Sequence, residues 1–495
     1  MCSLALERLG TDAKHEARRS ELTALRLRLE TPIAKIPVEL LLMAFEIVGR
    51  PVIISHICHR WRQVALSQPT LWRSLVLTGQ PKKALRKVQE WRKRSCGRIA
   101  ELTICKSLGE VILPHGRLRA VHPDDVAMRD HILAELRSLD LTFIKACHLE
   151  GVDVAQFLAA LEGDANHIGA LGMHHLETLS SSQSYPSGPI FLGSKEYVVR
   201  SWEKLRVLTI INMGCDWTSL TDLLHGLTSF EYRVSDFSVT FECVRLVLQA
   251  NPKLEKVVVE ANPTSIPLVL KAPETFTSAN LRHLELDGVN LLHRSTESLS
   301  LPSLQVLRLS RAPGTDVMLQ CLAEDPGTSF AGLVELTMKP CLLEAQFLIS
   351  MLSQAPKLKI LHLTGDFGVN DVAASLSIPC KTLLRIPISS NVEPVPIELP
   401  VLCPALSVLD LSGSPRLTTS PLMRIVKERI ALAASDDDGR YWLPGEDDDQ
   451  RVSCIQLLKV DECPQIEAEI LPWFRKNVPT FSCRYFSKKE SRARV

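Results

Sequence analysis

The sequence predicts a small all-helical module joined to a long α/β solenoid. Three observations carry this expectation: an apolar helical texture confined to residues 36–77, an L-x-x-L-x-L pattern recurring from residue 99 onward, and a near-constant spacing between its copies. A chain of 495 residues has room for about three domains of roughly 150 residues, or for one continuous repeat array. With 45% hydrophobic and 23% charged residues the composition is that of an ordinary globular protein. Its 57 basic and 56 acidic side chains leave a net charge of +1, so no global field argues for nucleic acid or an anionic membrane.

The elements follow in chain order. The first twenty residues carry charges at positions 7, 8, 12, 14 and 16, which a secretory apolar region does not tolerate. Residues 1–31 read as an amphipathic helix. Leu22, Leu25 and Leu29 fall at helical spacing and Pro32 ends the run; the stripe serves either a coiled-coil contact or packing on the neighbouring domain. From 32 to 78 three short helices are expected. The first carries Leu40, Leu41, Ala44, Phe45 and Val48 and stops at Gly49. The second carries Ile53, Ile54, Ile57, Trp61 and Ala65, and Gln68-Pro69 breaks it before Leu71 and Trp72. A module of about 40 residues is too small to be comfortable alone, so it is expected to share its apolar surface. Residues 79–98 follow as a basic linker helix, where "PKKALRKVQEWRKRSCGR" holds eight cations against one acid, with Trp91 packed underneath.

The repeat pattern occupies residues 99–480. Copies start at 99, 136, 205, 254, 281, 304, 333, 358, 383, 406 and 455, with a looser one, "LTSFEY", at 227. From 205 to 406 successive starts are 22, 27, 27, 23, 29, 25, 25 and 23 residues apart, close to the period of leucine-rich repeats. The end of each copy alternates like a short strand with its leucines inward, and the remaining residues suffice for a return arm. Four copies are led in by Pro-x-Leu, at 251, 301, 355 and 403. "LSSSQSYPSGP", residues 179–189, reads as a surface loop. "SDDDGRYWLPGEDDDQ" from 435 reads as a solvated acidic insertion, since its spacing does not match an EF-hand. Residues 481–495 read as a basic tail.

The residue between the last two leucines of each copy points out of the strand face. This places Thr209, Val258, Glu285, Arg308, Thr337, His362 and Asp410 in one row along the concave surface, the candidate substrate-binding row. Its mixed charge suits a protein or peptide better than a phosphate track.

No catalytic motif is legible. There is no G-x-S-x-G, no G-x-x-x-x-G-K-[ST] and no G-x-G-x-x-G, and "HEARR" at 15–19 lacks the second His of a zincin. His56, Cys58 and His59 lie close in sequence, but on a helix Cys58 points away from the two histidines. No cofactor or metal is therefore expected, and no Cys-x-x-Cys suggests structural zinc. Fourteen cysteines, mostly in apolar contexts, suit a reducing intracellular compartment, cytoplasmic or nuclear. No apolar run approaches the roughly 18 residues of a membrane span.

"IPVELLLMAFEIV", "ISHICHRWRQVA" and "PTLW" together resemble an F-box of the variety found in large fungal families. Ile36, Pro37, Glu39, Leu40 and Leu41 match its opening, Ser55, Ile57, Cys58 and Trp61 its second motif, and Pro69, Leu71 and Trp72 its third. The connection between the first two helices is shorter here than in many members, around Gly49 and Arg50. The resemblance implies a non-catalytic substrate-recognition subunit of a ubiquitin ligase. Such a subunit docks a Skp-family adaptor, and through it a cullin, while its second domain holds the protein substrate. It also implies that Ile36, Pro37, Leu40, Phe45, Ile57, Cys58 and Trp61 contact the adaptor or support that contact. Two alternatives stay open: an interaction scaffold without a ligase role, and a hydrolase in 145–204, where His167, His174 and His175 fall.

Overall fold

In this computed structural model the described residues are 15–21, 36–105, 123–152, 175–189, 202–215, 224–263, 276–291, 299–324, 330–339, 343–365, 368–377, 380–382, 397–399, 401–434 and 452–484, with isolated positions between them. The amphipathic stripe of Leu22, Leu25 and Leu29, the acidic insertion at 435–451 and most of the basic tail lie outside them; residues 15–21 are helical.

From Val38 the chain forms three short helices, α1 (Val38–Val48), α2 (Pro51–Ser55) and α3 (His59–Ser67), followed by a 3-10 turn at Pro69–Trp72. Gly49 ends α1 in a left-handed conformation, φ 63°, and its N–H returns to the Phe45 carbonyl. Pro51 starts α2, where a missing N–H costs nothing. The sequence suggested one helix from Ile53 to Ala65, but the chain breaks at 56–58. Cys58 is extended there and its Sγ accepts from the Trp61 N–H at 3.4 Å, capping α3.

A 14-stranded sheet follows in which every strand pairs with its chain neighbours, all in parallel. Its strands are β1 (Ser74–Leu77), β2 (Glu101–Ile104), β3 (Ala146–Glu150), β4 (Thr178–Pro189), β5 (Val207–Gly214), β6 (Ser229–Arg233) and β7 (Lys256–Glu260). They continue as β8 (His283–Asp287), β9 (Val306–Ser310), β10 (Glu335–Met338), β11 (Ile360–Leu363), β12 (Val408–Asp410), β13 (Leu457–Lys459) and β14 (Thr480–Ser482). Return helices include α4 (Pro81–Arg94), α5 (Pro123–Arg137), α6 (Phe241–Ala250), α7 (Thr315–Glu324), α8 (Ala345–Ser353), α9 (Val369–Ser375), α10 (Thr419–Ala434) and α11 (Leu471–Asn477). The molecule is an α/β protein built on one large parallel sheet.

Strand residues alternate as the period of two requires. In β8, Leu284 and Leu286 are fully buried, while His283, Glu285 and Asp287 face the other way. The Pro-x-Leu entries have a specific geometry. The N–H of Leu254, Leu304, Leu358 and Leu406 bonds to the carbonyl three residues back, on Asn251, Leu301, Ala355 and Cys403. Proline thus sits second in a tight turn, where its fixed φ is preorganised. Leu176, Leu205 and Leu333 make the same turn without a proline, onto Met173, Trp202 and Phe330. The repeat is therefore structural even where the sequence pattern is weak.

Four expectations change. The copy at 136 is no strand: Leu136 belongs to α5 and Leu141 to a 3-10 turn, and the strand comes later, at β3. Residues 179–189 are not a loop but most of β4, which pairs with β3 and β5 and carries register irregularities after Ser182. Its serines hide it from an apolar template, yet Ser181 and Gln183 are buried. The copy at 383 adds no strand between its neighbours, since β11 pairs directly with β12, Ile360 opposite Val408. Of the chain between them, Cys380–Thr382 and Ile397–Leu399 pair antiparallel, and residues 383–388 lie outside the described ones. Finally, the sheet begins at Ser74, inside the span assigned to the helical module. The basic helix α4 is its first return arm, not a linker.

One continuous apolar core runs from Leu41 in α1 to Val478 near the C-terminus. Its N-terminal join rests on two tryptophans. Trp72 is fully buried and donates to the Ala65 carbonyl at 2.7 Å, Trp91 donates to the Ser74 carbonyl at 2.8 Å, and the rings meet edge to face at 4.9 Å. The Arg94 guanidinium covers Trp72 at 4.3 Å.

Candidate docking surface and open sheet face

An amphipathic helix in a closed domain turns its apolar stripe inward, and α1 does this with only Leu41 and Phe45. Leu42 is half-buried against the core, and the other large apolar residues face out: Val38 (42% exposed), Leu40 (54%), Met43 (61%), Ile47 (87%) and Val48 (55%). Val52, Ile53, Ile57 and Leu66 extend this surface over α2 and α3. Among the described residues, the large apolar side chains that stand exposed are these nine and Phe143 alone, so nine of ten lie within residues 38–66. An exposed apolar surface so concentrated marks a contact with another molecule.

The seven residues expected on this side divide into three groups. Leu40 and Ile57 are on the exposed apolar surface, and Pro37 and Cys58 are exposed beside it. Ile36 and Trp61 are half-buried, and the Ile36 carbonyl accepts from Arg60 Nη2 at 2.6 Å, which pins the entry to α1. Phe45, at 1% exposure, is core: its ring packs on Trp61 at 4.9 Å and supports the surface from beneath. Sequence reasoning missed Met43, Ile47, Val52 and Ile53 as surface residues. The signal was present, since α1 and α2 carry more apolar residues than one buried stripe can absorb.

The second candidate surface is the sheet face opposite the buried leucines. Register places Thr209, Glu231, Val258, Glu285, Arg308, Thr337, His362, Asp410 and Lys459 side by side on β5 to β13. The expected row is therefore contiguous, but it is not a row of free groups. Arg308 bridges two strands, with Nη1 at 3.2 Å from Glu285 and Nε at 2.7 Å from Glu335. The Glu335 and Glu285 carboxylates hold its guanidinium above the ordinary arginine value, against the effect of burial. Thr337 and Asp410 are covered, each 7% exposed, and Val258 is buried too. Asp410 faces His362 Nδ1 at 3.5 Å and Lys459 Nζ at 3.3 Å. Burial works to raise its pKa, but hydrogen bonds from His362 and Ser412 and the Lys459 charge outweigh it and hold the carboxyl well below the usual range.

A parallel tier runs beside the row. Arg233 joins Glu231 at 2.6 Å and Glu260 at 3.4 Å, and Arg311 joins Asp287 at 2.6 Å. This face offers alternating, mutually paired charges. It presents hydrogen-bonding groups at the 4.8 Å spacing of strands, roughly, without a single-sign field.

Of the three histidines singled out in 145–204, His167, His174 and His175, the first two lie outside the described residues. His175 is exposed, with Nδ1 2.8 Å from Lys204 Nζ. Among the described residues no group of three or more His, Cys, Asp or Glu is arranged to hold a metal, and no helix is long and apolar enough to cross a membrane.

No family model matches the chain. No curated protein matches it. Among solved structures it resembles a chain from the "Crystal structure of Rad7 and Elc1 complex in yeast", with 11% identity over 99% of each chain and a TM-score of 0.32. At that score the likeness carries no argument.

Proposed function

We propose that this chain is a substrate-recognition subunit of a Skp/cullin/F-box ubiquitin ligase. Residues 36–72 act as an F-box module that docks a Skp-family adaptor, and the sheet forms a leucine-rich-repeat solenoid that holds a protein substrate. The observation that supports this reading is the concentration of exposed large apolar side chains on α1 to α3, the segment that carries the F-box resemblance, with Leu40 and Ile57 of the expected contact residues among them. An adaptor groove covering Leu40, Met43, Ile47, Ile53 and Ile57 gains a large apolar area, at ~25 cal/mol per Å². The chain performs no bond chemistry in this scheme. It raises the local concentration of substrate at the transfer machinery, and the join at Trp72 and Trp91 fixes the angle between adaptor and substrate face.

The paired charges of the open face suit a folded protein or peptide with complementary charges of both signs, and they lack the basic track a phosphate backbone calls for. Most of the face's ionic partners are already satisfied, so a substrate gains specificity more than raw affinity from them.

The test is co-expression with a Skp-family adaptor and a quantitative pull-down, for the wild type and a Leu40→Asp, Ile53→Asp double variant. Both side chains are more than half exposed, so the variant keeps its melting temperature. Losing two apolar contacts of ~1.5 kcal/mol each weakens adaptor binding about 100-fold or more. A well-folded wild type that binds no adaptor refutes the reading and leaves an interaction scaffold in its place.

A further inference from the structure

Charge is spread unevenly along this chain. Residues 51–98 contain eleven Lys and Arg side chains and one acid, Glu90, although the whole protein carries only +1. Folding gathers part of this excess around one open cleft of about 450 Å³ between α2, α3 and α4. Its cations are Arg62, Arg86, Lys87 and Arg94, with His56 beside them, and Glu90 is its single carboxylate. Glu90 lies 3.4 Å from Arg94 and 3.9 Å from Lys93, so it offsets little of the total. Arg62 donates to the Ser55 carbonyl, and Lys87 to that of Val76, neither of which carries a net charge. Burial pulls Lys87 below the ordinary lysine value, and its Nζ is engaged by the Val76 carbonyl.

The cleft also has an apolar wall. Val52 and Leu66 line it, and both belong to the exposed apolar surface of α1 to α3, so cleft and surface are continuous. The two nearby tryptophans offer no stacking platform for bases: Trp72 is fully buried under Arg94, and Trp91 is buried with Lys87 over its ring at 4.9 Å.

We propose that this cleft receives an acidic polypeptide segment of the same partner that covers the apolar surface, its carboxylates on Arg62, Arg86 and Arg94 and an apolar side chain against Val52 and Leu66. The inference rests on the docking reading given above and adds the chemistry of the partner. Planar guanidinium groups match carboxylates in a two-pronged geometry, which a lysine cluster does not offer.

The experiment is a fluorescence anisotropy titration of the full chain with a labelled peptide of glutamates around one leucine. A short oligothymidine and phosphatidylserine vesicles are run beside it. The peptide binds at ~50 mM salt and weakens about tenfold by ~300 mM. Arg62→Glu with Arg86→Glu weakens it about tenfold, whereas Glu90→Gln strengthens it about twofold. Arg62, Arg86 and Glu90 are exposed, and unchanged melting curves verify that the variants fold. Equal binding by all three proteins overturns the inference, as does tighter, equally variant-sensitive binding of the oligothymidine or the vesicles. The same variants are then titrated with the Skp-family adaptor. An affinity that falls with the arginine reversals supports the shared partner. An affinity unchanged by them, but abolished by Leu40→Asp with Ile53→Asp, leaves the docking reading intact and overturns this one. A wild type that binds peptide but no adaptor removes the docking reading, and the shared partner with it.

Discussion

Replacing Trp72 by alanine should uncouple the N-terminal helices from the sheet without unfolding the rest of the chain. The ring is fully buried and makes three separable contributions. Removing a buried tryptophan side chain costs about 3–5 kcal/mol in packing and cavity. Its Nε1–H bonds to the Ala65 carbonyl at 2.7 Å, and stranding that buried acceptor costs about 1 kcal/mol more. The Arg94 guanidinium over the ring contributes about 0.5 kcal/mol, discounted because Arg94 is 31% exposed. The sum, about 5 kcal/mol, is concentrated where α3 meets β1 and α4. Because a repeat array couples each unit mainly to its neighbours, the loss stays local. Native-state hydrogen exchange reads this directly. Amides of α1 to α3 should exchange about 5,000-fold faster in Trp72→Ala, at ~1.36 kcal/mol per factor of ten, while those of β9 to β11 change little. Trp72→Phe keeps most of the packing and loses the hydrogen bond, so its effect should be about tenfold. Acceleration below threefold in α1 to α3, or equal acceleration at β9 to β11, refutes the argument that this ring is the local join.

Three further outcomes follow from the same geometry. Arg429 is fully buried and donates to the carbonyls of Leu402, Cys403, Pro404, Leu406 and Ser453, so it ties α10 to the turns before β12 and β13. Arg429→Met leaves those acceptors bare and should cost about 3–5 kcal/mol, seen as a lowered denaturation midpoint and faster exchange at β12. Gly288, at φ 68° after β8, has no room for a side chain: a Cβ there would lie 2.0 Å from the Ala261 carbonyl oxygen, so Gly288→Ala should lower the melting temperature by several degrees. Stability should also fall with acid in two stages. Burial, aided by Arg308 and Lys256, holds His283 below its ordinary value against the pull of Glu285. The folded state therefore resists its protonation, and its contribution is present above pH ~6.5 and lost as pH falls below that. The depressed Asp410 contributes above pH ~3.9, and that contribution is lost as pH falls through its lower folded value. His283→Gln should flatten the first stage and Asp410→Asn the second in a pH series of urea midpoints; unchanged profiles would count against both assignments.

Much of the sheet was legible because its rule is local. Leucines two residues apart must share a face, and a Pro-x-Leu turn is decided by three consecutive residues, so "LRHLEL" and "LQVLRL" identify β8 and β9 without any tertiary knowledge. The rule failed wherever another force set the strand. β4 is held by backbone pairing to both neighbours and so tolerates a run of serines, which no hydrophobic template registers. At 136 the same L-x-x-L-x-L spacing falls across the end of α5, because apolar residues two to five apart also suit a helix end and a turn. β14 and β1 were missed because other apolar residues stand where the pattern has leucine: Trp72 leads into Leu75 and Leu77 at β1, and Val478, Phe481 and Cys483 take the three positions at β14.

The candidate sites divide in the same way. The apolar richness of residues 36–66 could be read from composition, and register alone put Thr209, Glu285, Arg308, Thr337, His362 and Asp410 in one line. Which apolar residues turn inward could not be read, because Leu41 and Leu40 are adjacent in an apolar run and only the packing of α1 on α3 makes one core and the other surface. Nor could the pairing of Arg308 with carboxylates 23 and 27 residues away be read, since it depends on strands brought together by the whole array. By itself, the sequence determined the alternation, the turns and the excess of apolar groups near the start, all consequences of bonding within a few residues. Tertiary structure alone decided where the sheet begins, which charges neutralise one another and which apolar face stays uncovered, because each is settled by burial among elements far apart in the chain.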